Sequence, residues 1–270
     1  MSEDVTESWL TDTLRLARRL PTEVAPGILA DRFRSVLGWS EASGNDAPWI
    51  VFDGPSAVGK DTQIDLITEW LESSGLTVRL VGGTGDGTTL GPLTGTLITR
   101  NAALPGASRW VADYRIKAAA WGSLRGHEPA PRKADIVLSN RGPLSQLVYS
   151  AVSGRLDLLA DRDALATADA AVRANDLHLL LSCPDADVVE RARRRTVAGE
   201  KSPRDVDTPR FVSAANRSFH ELAARLPWVR TVETTGDREA NFASVKRVII
   251  NAVDLGLGEF ERTERDGDAA

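Results

Sequence analysis

Residues 50–62 read IVFDGPSAVGKDT, in which Gly54 is followed by four residues and then by Gly59 and Lys60. The stretch joins a short apolar run to an amphipathic one. Glycines let a backbone turn tightly enough to aim N–H groups at phosphate oxygens. A helix opening at Lys60 adds its unpaired N–H groups and the positive end of its dipole. A lysine at that point reaches terminal phosphates as a point charge. Spacing and strand–helix context together predict a phosphate-binding loop formed by Gly54, Pro55, Ser56, Ala57, Val58, Gly59, Lys60, Asp61 and Thr62, which alone does not choose between a kinase, an NTPase and a switch protein.

The position after such a lysine commonly carries Ser or Thr, whose hydroxyl holds magnesium. Here it is Asp61, with Thr62 next. A carboxylate there would bind Mg2+ directly or through water, and it would equally suit the first turn of a helix. Asp53, just before the loop, would hold a metal-bound water or satisfy loop amides. Mg2+ is therefore the expected cofactor, with Asp61, Thr62 and Asp53 as its candidate positions.

A second chemical signal lies at residues 191–204, with six bases (Arg191, Arg193, Arg194, Arg195, Lys201, Arg204) against one acid, Glu200. The whole chain carries a net charge of −5, so this run stands apart. Phosphoryl transfer spreads negative charge over equatorial oxygens, so its catalysis is largely positioning and cationic stabilisation. An arginine-rich lid at about 196–209 would supply that and exclude water; a solvated helix face is the plainer alternative. Trp110 and Tyr114, spaced i, i+4, would stack on an acceptor base or pack in the core. His127, His178 and His220 have no metal-ligand spacing, and Cys183 has no cysteine partner.

The elements that must position these groups follow from hydrophobic patterning. Short apolar runs at 49–52, 78–81, 136–138, 177–181 and 229–232 alternate with amphipathic stretches at 60–73, 108–124, 144–152, 186–197, 209–226 and 239–253. Such alternation predicts an α/β fold with a parallel sheet of about five strands between two helical layers. Residues 1–45 read as a helical N-terminal extension: an apolar stripe from Trp9 to Leu20 stopped by Pro21, then a short helix over 28–37. Packing is the expected role of the extension, with a homodimer contact as the alternative. A polar linker follows at 40–48, the main domain spans 46–257, and 258–270 form a flexible acidic tail.

Composition bounds the rest. Apolar residues make up 42% and charged residues 26% of 270, enough for a sizeable core. One cysteine cannot form an intrachain disulfide. The negative net charge argues against nucleic acid as a partner, no apolar run reaches the roughly 18 residues of a membrane span, and residues 1–7 hold three acids and no base, unlike a targeting segment. The expectation is a soluble cytoplasmic protein.

From about residue 49 to 250 the chain resembles the thymidylate kinase group of nucleoside monophosphate kinases, with a three-layer P-loop NTPase fold. Lys60-Asp61-Thr62-Gln63 is similar to the family's Gly-Lys-x-Thr-Gln; Gly87-Thr88-Thr89-Leu90-Gly91 to its Gly-Thr-x-Leu-Gly; residues 135–149 (DIVLSNRGPLSQLVY) to its Asp-Arg followed by Ser-x-x-x-Tyr; and residues 176–195 (DLHLLLSCPDADVVERARRR) to its fourth strand and arginine-bearing helix. The resemblance implies catalytic roles for Lys60, Arg141, Arg193 and Arg195, with Arg191 beside them. It implies an acceptor pocket at Trp110, Tyr114, Arg115, Ser145 and Tyr149.

Three positions depart from the pattern. Asn140 replaces the acid of the Asp-Arg pair. Gly83 stands where the family has an arginine, with Asp86 in the following turn. Tyr114 takes the place of an arginine on the third helix, or displaces it to Arg115. The donor side is retained while the acceptor side has changed. The resemblance thus implies ATP-dependent phosphoryl transfer to a small acceptor, a nucleoside monophosphate first. A non-nucleotide metabolite and a regulatory nucleotide-binding protein without turnover are the alternatives. Ordinary dTMP is expected to be a poor substrate unless Arg100, Arg109 or Arg115 compensates.

Overall fold

The computed structural model describes residues 3–18, 28–37, 47–82, 90–102, 107–126, 134–154, 157, 162–170, 172, 176–197 and 208–253. Five parallel strands run β1 Trp49–Asp53, β2 Val78–Gly82, β3 Ile136–Asn140, β4 Leu177–Ser182 and β5 Val229–Glu233, in the spatial order β2-β3-β1-β4-β5. Their chemistry follows their place in the sheet. Central β1 and β4 are buried at every residue and are mostly apolar, whereas edge strand β5 buries Val229 and Val232 and exposes Arg230, Thr231 and Glu233.

Helices α1 Glu3–Ala17, α2 Ile28–Val36, α3 Lys60–Ser73, α4 Leu90–Asn101, α5 Ala107–Gly126, α6 Pro143–Gly154, α7 Arg162–Ala170, α8 Asp185–Val197, α9 Pro209–Ala223 and α10 Arg238–Ala252 complete the described elements. Successive residues of β1 serve opposite layers. Ile50 and Phe52 pack with Ile64, Ile67 and Leu71 of α3 and with Val245 and Ile249 of α10. Trp49 and Val51 pack with Leu97 of α4 and with Ile116 and Trp121 of α5. A third cluster joins Leu180 to α5, α6 and α9 through Ala118, Leu147, Phe219 and Leu222.

The extension is built into this core. Leu10 and Leu14 of α1 and Leu29 and Phe33 of α2 are buried in the same cluster as Trp49 and Trp121. Its first helix begins earlier than the apolar stripe indicates, at Glu3, and is described as ending at Ala17. Two helices go beyond the sequence expectation. In α4 (LGPLTGTLITRN), Gly91, Pro92 and Gly95 hide the periodicity, although proline is tolerated in a first turn. In α7 (RDALATADA), the alanines leave little apolar contrast. Most of the proposed linker (40–46), most of the lid at 198–207, residues 83–89, His127 and the acidic tail lie outside the described residues, while Ala47 at the linker's end is buried in the core. Among the described residues, no helix is long and apolar enough to cross a membrane.

Candidate active site

β1 delivers the chain to the loop, and α3 carries it away. Gly54 has φ +142, and a Cβ on it would lie 2.6 Å from the Leu181 carbonyl oxygen of β4 and 3.1 Å from Val58 Cγ1. The loop is therefore pressed against β4 at a point where only glycine fits. Gly59 has φ +104 with nothing within 4 Å of a Cβ, so its requirement is conformational. Ala57, at φ 65, also holds a left-handed conformation. From the far side, Thr234 Oγ1 donates to the Val58 carbonyl (3.3 Å), and so does Arg191 Nη1 (3.4 Å).

Lys60 is 5% exposed, and its Nζ donates to the carbonyls of Gly54 (2.9 Å) and Pro55 (2.7 Å). The ammonium thus lies inside the loop that it is expected to serve. Asp61 and Thr62, in the first turn of α3, are exposed. Asp61 Oδ1 accepts from Asn140 Nδ2 at 2.9 Å. These groups open on a cavity of about 570 Å3. One wall is the loop with Lys60, Asp61 and Thr62, the second is Asn140 and Arg141, and the third is Arg191, Arg194 and Arg195 of α8.

Arg141 follows β3 directly. Its φ is +80, in the left-handed region that a residue with a Cβ seldom occupies, and its N–H donates to Phe52 O at 2.9 Å. Strain of this kind persists where surrounding contacts over-determine it. The guanidinium donates to Gly54 O (3.1 Å) and Ser145 Oγ (3.4 Å) and lies 4.7 Å over the Tyr149 ring. Tyr149 in turn stacks on Phe211 at 5.6 Å. Arg141, Ser145 and Tyr149 are therefore gathered together.

Asp53 is fully buried and does not line the cavity. Its Oδ1 accepts from the N–H groups of Gly142 and Ser145, both at 3.0 Å, which caps the first turn of α6. A Cβ at Gly142 would lie 2.5 Å from Val51 Cγ1, so the turn closes directly over β1. Asp53 Oδ1 thus serves amides of the turn after β3, while its buried Oδ2 has no hydrogen-bond partner among the described residues.

Three further candidates are not brought to the cavity. Tyr114 is 1% exposed, and its hydroxyl donates to the Ala164 carbonyl at 2.8 Å. Arg115 points to the extension, where Nη1 donates to the Ala17 carbonyl at 3.2 Å. Half-buried Trp110 lies under the Arg109 guanidinium at 4.7 Å. Arg109 itself approaches Asp113 at 3.9 Å, and Arg100 makes a paired contact with Glu7 of α1 at 2.5 and 2.7 Å. The bases expected to compensate on the acceptor side thus engage α1 and α5.

On α8 the working set differs from the expected one. Arg193 turns away from the cavity and pairs with Glu190 at 2.8 and 3.0 Å. Hydrogen bonds from Arg193 and then Arg194 hold the Glu190 carboxyl at about 2, below the ordinary 4.5. Arg191, Arg194 and Arg195 face the cavity. Helical period contains this distinction: positions i, i+3 and i+4 share a face, and i+2 does not. Burial pushes the Cys183 thiol up, and fully buried His178 lies 4.8 Å from the Trp228 ring, so neither belongs to the site.

No group of three or more His, Cys, Asp or Glu that would hold a metal occurs among the described residues. Magnesium does not require one, because it keeps several waters and takes one or two carboxylates alongside substrate phosphates. One carboxylate and one hydroxyl, Asp61 and Thr62, border the cavity and fit that mode. No curated protein matches the chain. The family model described as thymidylate kinase matches residues 52–244, which takes in the loop, the arginine turn, α8 and the sheet. The chain belongs to the thymidylate kinase family, whose reaction is ATP-dependent phosphoryl transfer to a nucleotide-like acceptor.

Proposed function

We propose that the acceptor attacks through a phosphate group, as a nucleoside monophosphate does, and that dTMP is a weak acceptor compared with another nucleotide. The supporting observation is the charge of the cavity wall: Lys60, Arg141, Arg191, Arg194 and Arg195 against Asp61. That is a surplus of four positive charges. A metal-bound triphosphate and an acceptor phosphate together carry about four negative charges near neutral pH, so the wall suits two phosphorylated ligands. A neutral hydroxyl acceptor would leave the surplus unmatched.

In this reading, loop N–H groups and Lys60 hold the β- and γ-phosphates. Lys60 exchanges its two carbonyl acceptors for phosphate oxygens when the nucleotide enters. Arg141, with Arg191, Arg194 and Arg195, collects the charge that develops on the transferred group. Ser145 and Tyr149 flank the acceptor beneath Arg141. An acceptor phosphate is already a nucleophile, so no general base is needed. Asp61 and Thr62 would hold the metal, which would supply positive charge against the nucleotide phosphates. The case against dTMP rests on Tyr114 and Arg115, whose polar groups are taken by Ala164 and Ala17.

The test is kcat/KM for dTMP beside the other nucleoside monophosphates and the unphosphorylated nucleosides, with ATP as donor. A monophosphate other than dTMP is expected to rank first. A dTMP value of about 10⁴ M⁻¹s⁻¹ or above that exceeds every other acceptor would overturn the dTMP part. A nucleoside outranking all monophosphates would overturn the phosphate part.

A further inference from the structure

Across the phosphate cavity, the end of β3 meets the first turn of α3. Asn140 closes β3 and pairs in register with Phe52 of β1 and Gly82 of β2, so its backbone is held on both sides. Asp61 is the second residue of a helix rooted by buried Gln63, Ile64 and Ile67. The two side chains join at 2.9 Å, 79 residues apart in sequence, and both line the cavity. An ionised carboxylate only accepts hydrogen bonds, so Asn140 faces it with its NH2 group.

Chemistry limits what else this pair of positions tolerates. Two carboxylates at that separation would repel, and one would stay protonated well above its ordinary range. Two amides would carry no charge toward the nucleotide. An amide facing a carboxylate leaves one negative charge, with its orientation fixed by a hydrogen bond. The acid missing from position 140, measured against the family pattern, has a counterpart at position 61 on the facing wall.

We propose that Asn140 is a positioning residue: it holds the Asp61 carboxylate toward the divalent metal of the bound nucleotide, and the pair acts as a single oriented carboxylate. The inference rests on the ATP–metal reading above. Partners that orient a metal ligand from behind typically contribute a factor of about 10–100 in metal affinity, which sets the scale of the expected effect.

The experiment measures binding of a non-hydrolysable ATP analogue, with and without Mn2+, by calorimetry and by the Mn2+ electron paramagnetic resonance signal. Asn140→Ala should weaken Mn2+ binding to the analogue complex about tenfold at pH 7, with metal-free analogue affinity unchanged. Asp61→Asn should weaken Mn2+ binding to the analogue complex at least as far, because it leaves two amides and no carboxylate. The double exchange D61N/N140D restores one amide and one carboxylate, and should recover most of the wild-type Mn2+ affinity. It keeps both side-chain volumes, so it serves even where Asn140→Ala fails to fold.

Unchanged Mn2+ affinity in Asn140→Ala would overturn the inference. So would a double exchange that binds Mn2+ no better than Asp61→Asn alone. A purely structural role would lower thermal stability and metal-free analogue affinity together, without rescue by the exchange, and would also overturn it. Failure of wild type to bind the analogue at all would sink the ATP reading and this inference with it; normal wild-type binding beside indifferent Asn140 variants would sink this inference alone.

Discussion

Gly54 and Gly59 both hold positive φ in the loop, yet alanine at the two positions should do different damage. At Gly54 a methyl group meets the Leu181 carbonyl oxygen at 2.6 Å and Val58 Cγ1 at 3.1 Å, in a backbone conformation of φ +142. Conformational strain of that kind costs about 1–3 kcal/mol, and forcing a methyl group into a packed contact costs about 1–3 kcal/mol more. The Leu181 oxygen belongs to the central strand β4 and cannot give way cheaply. Gly54→Ala should therefore lose about 2–6 kcal/mol of stability. At Gly59 a methyl group meets nothing within 4 Å, which leaves the conformational cost alone, about 1–3 kcal/mol. Because Gly59 borders the cavity, its methyl group would instead stand among the phosphate oxygens. Urea unfolding read by circular dichroism gives the stabilities, and calorimetry with ATP gives affinity in the folded fraction. The expected outcome is a dissociation: Gly54→Ala is the less stable protein, while Gly59→Ala loses more ATP affinity than its stability loss accounts for. Equal stabilities, or a Gly59 variant that binds ATP like wild type, would refute the account of how the loop is held.

Two predictions follow from α8 and α5. Arg195→Ala should lower kcat roughly 10- to 100-fold, the equivalent of one charged hydrogen bond, while Arg193→Ala, whose partner is Glu190, should stay within about twofold; equal losses would show that the Glu190 pair opens during turnover. Lys117 of α5 is held below the ordinary 10.5 by burial first, with Arg109 adding to the effect and Asp113 opposing it. A depressed lysine penalises the fold in full below its folded pKa, and the penalty is relieved as pH rises toward 10.5. Lys117→Met should therefore be more stable than wild type at pH 7, with an advantage that shrinks by pH 10. An advantage independent of pH, measured by urea midpoints, would count against this origin.

What sequence reveals and conceals here divides along the range of the interactions. The phosphate loop is legible because its chemistry is contiguous: glycine spacing, the lysine and the helix start lie within a dozen residues, and α3 begins and ends at Lys60 and Ser73 as the patterning predicts. Strands β1 and β4 are legible because burial on both faces demands mostly apolar residues. The roles of polar side chains are another matter, since each depends on a partner brought from afar. Tyr114 becomes a core residue through Ala164, 50 positions on, and Arg115 serves the extension through Ala17, 98 positions back. Asp53 accepts from Ser145, 92 positions on, and Asn140 donates to Asp61, 79 positions back. On α8 the concealed fact is local, and helical phase exposes it: Glu190 pairs with both Arg193 at i+3 and Arg194 at i+4, but only Arg194 shares the cavity face with Arg191 and Arg195. A substitution that reads as a loss in one segment is thus to be judged only against the segment the fold sets opposite it. For this site, that argument moves attention from position 140 alone to positions 61 and 140 together.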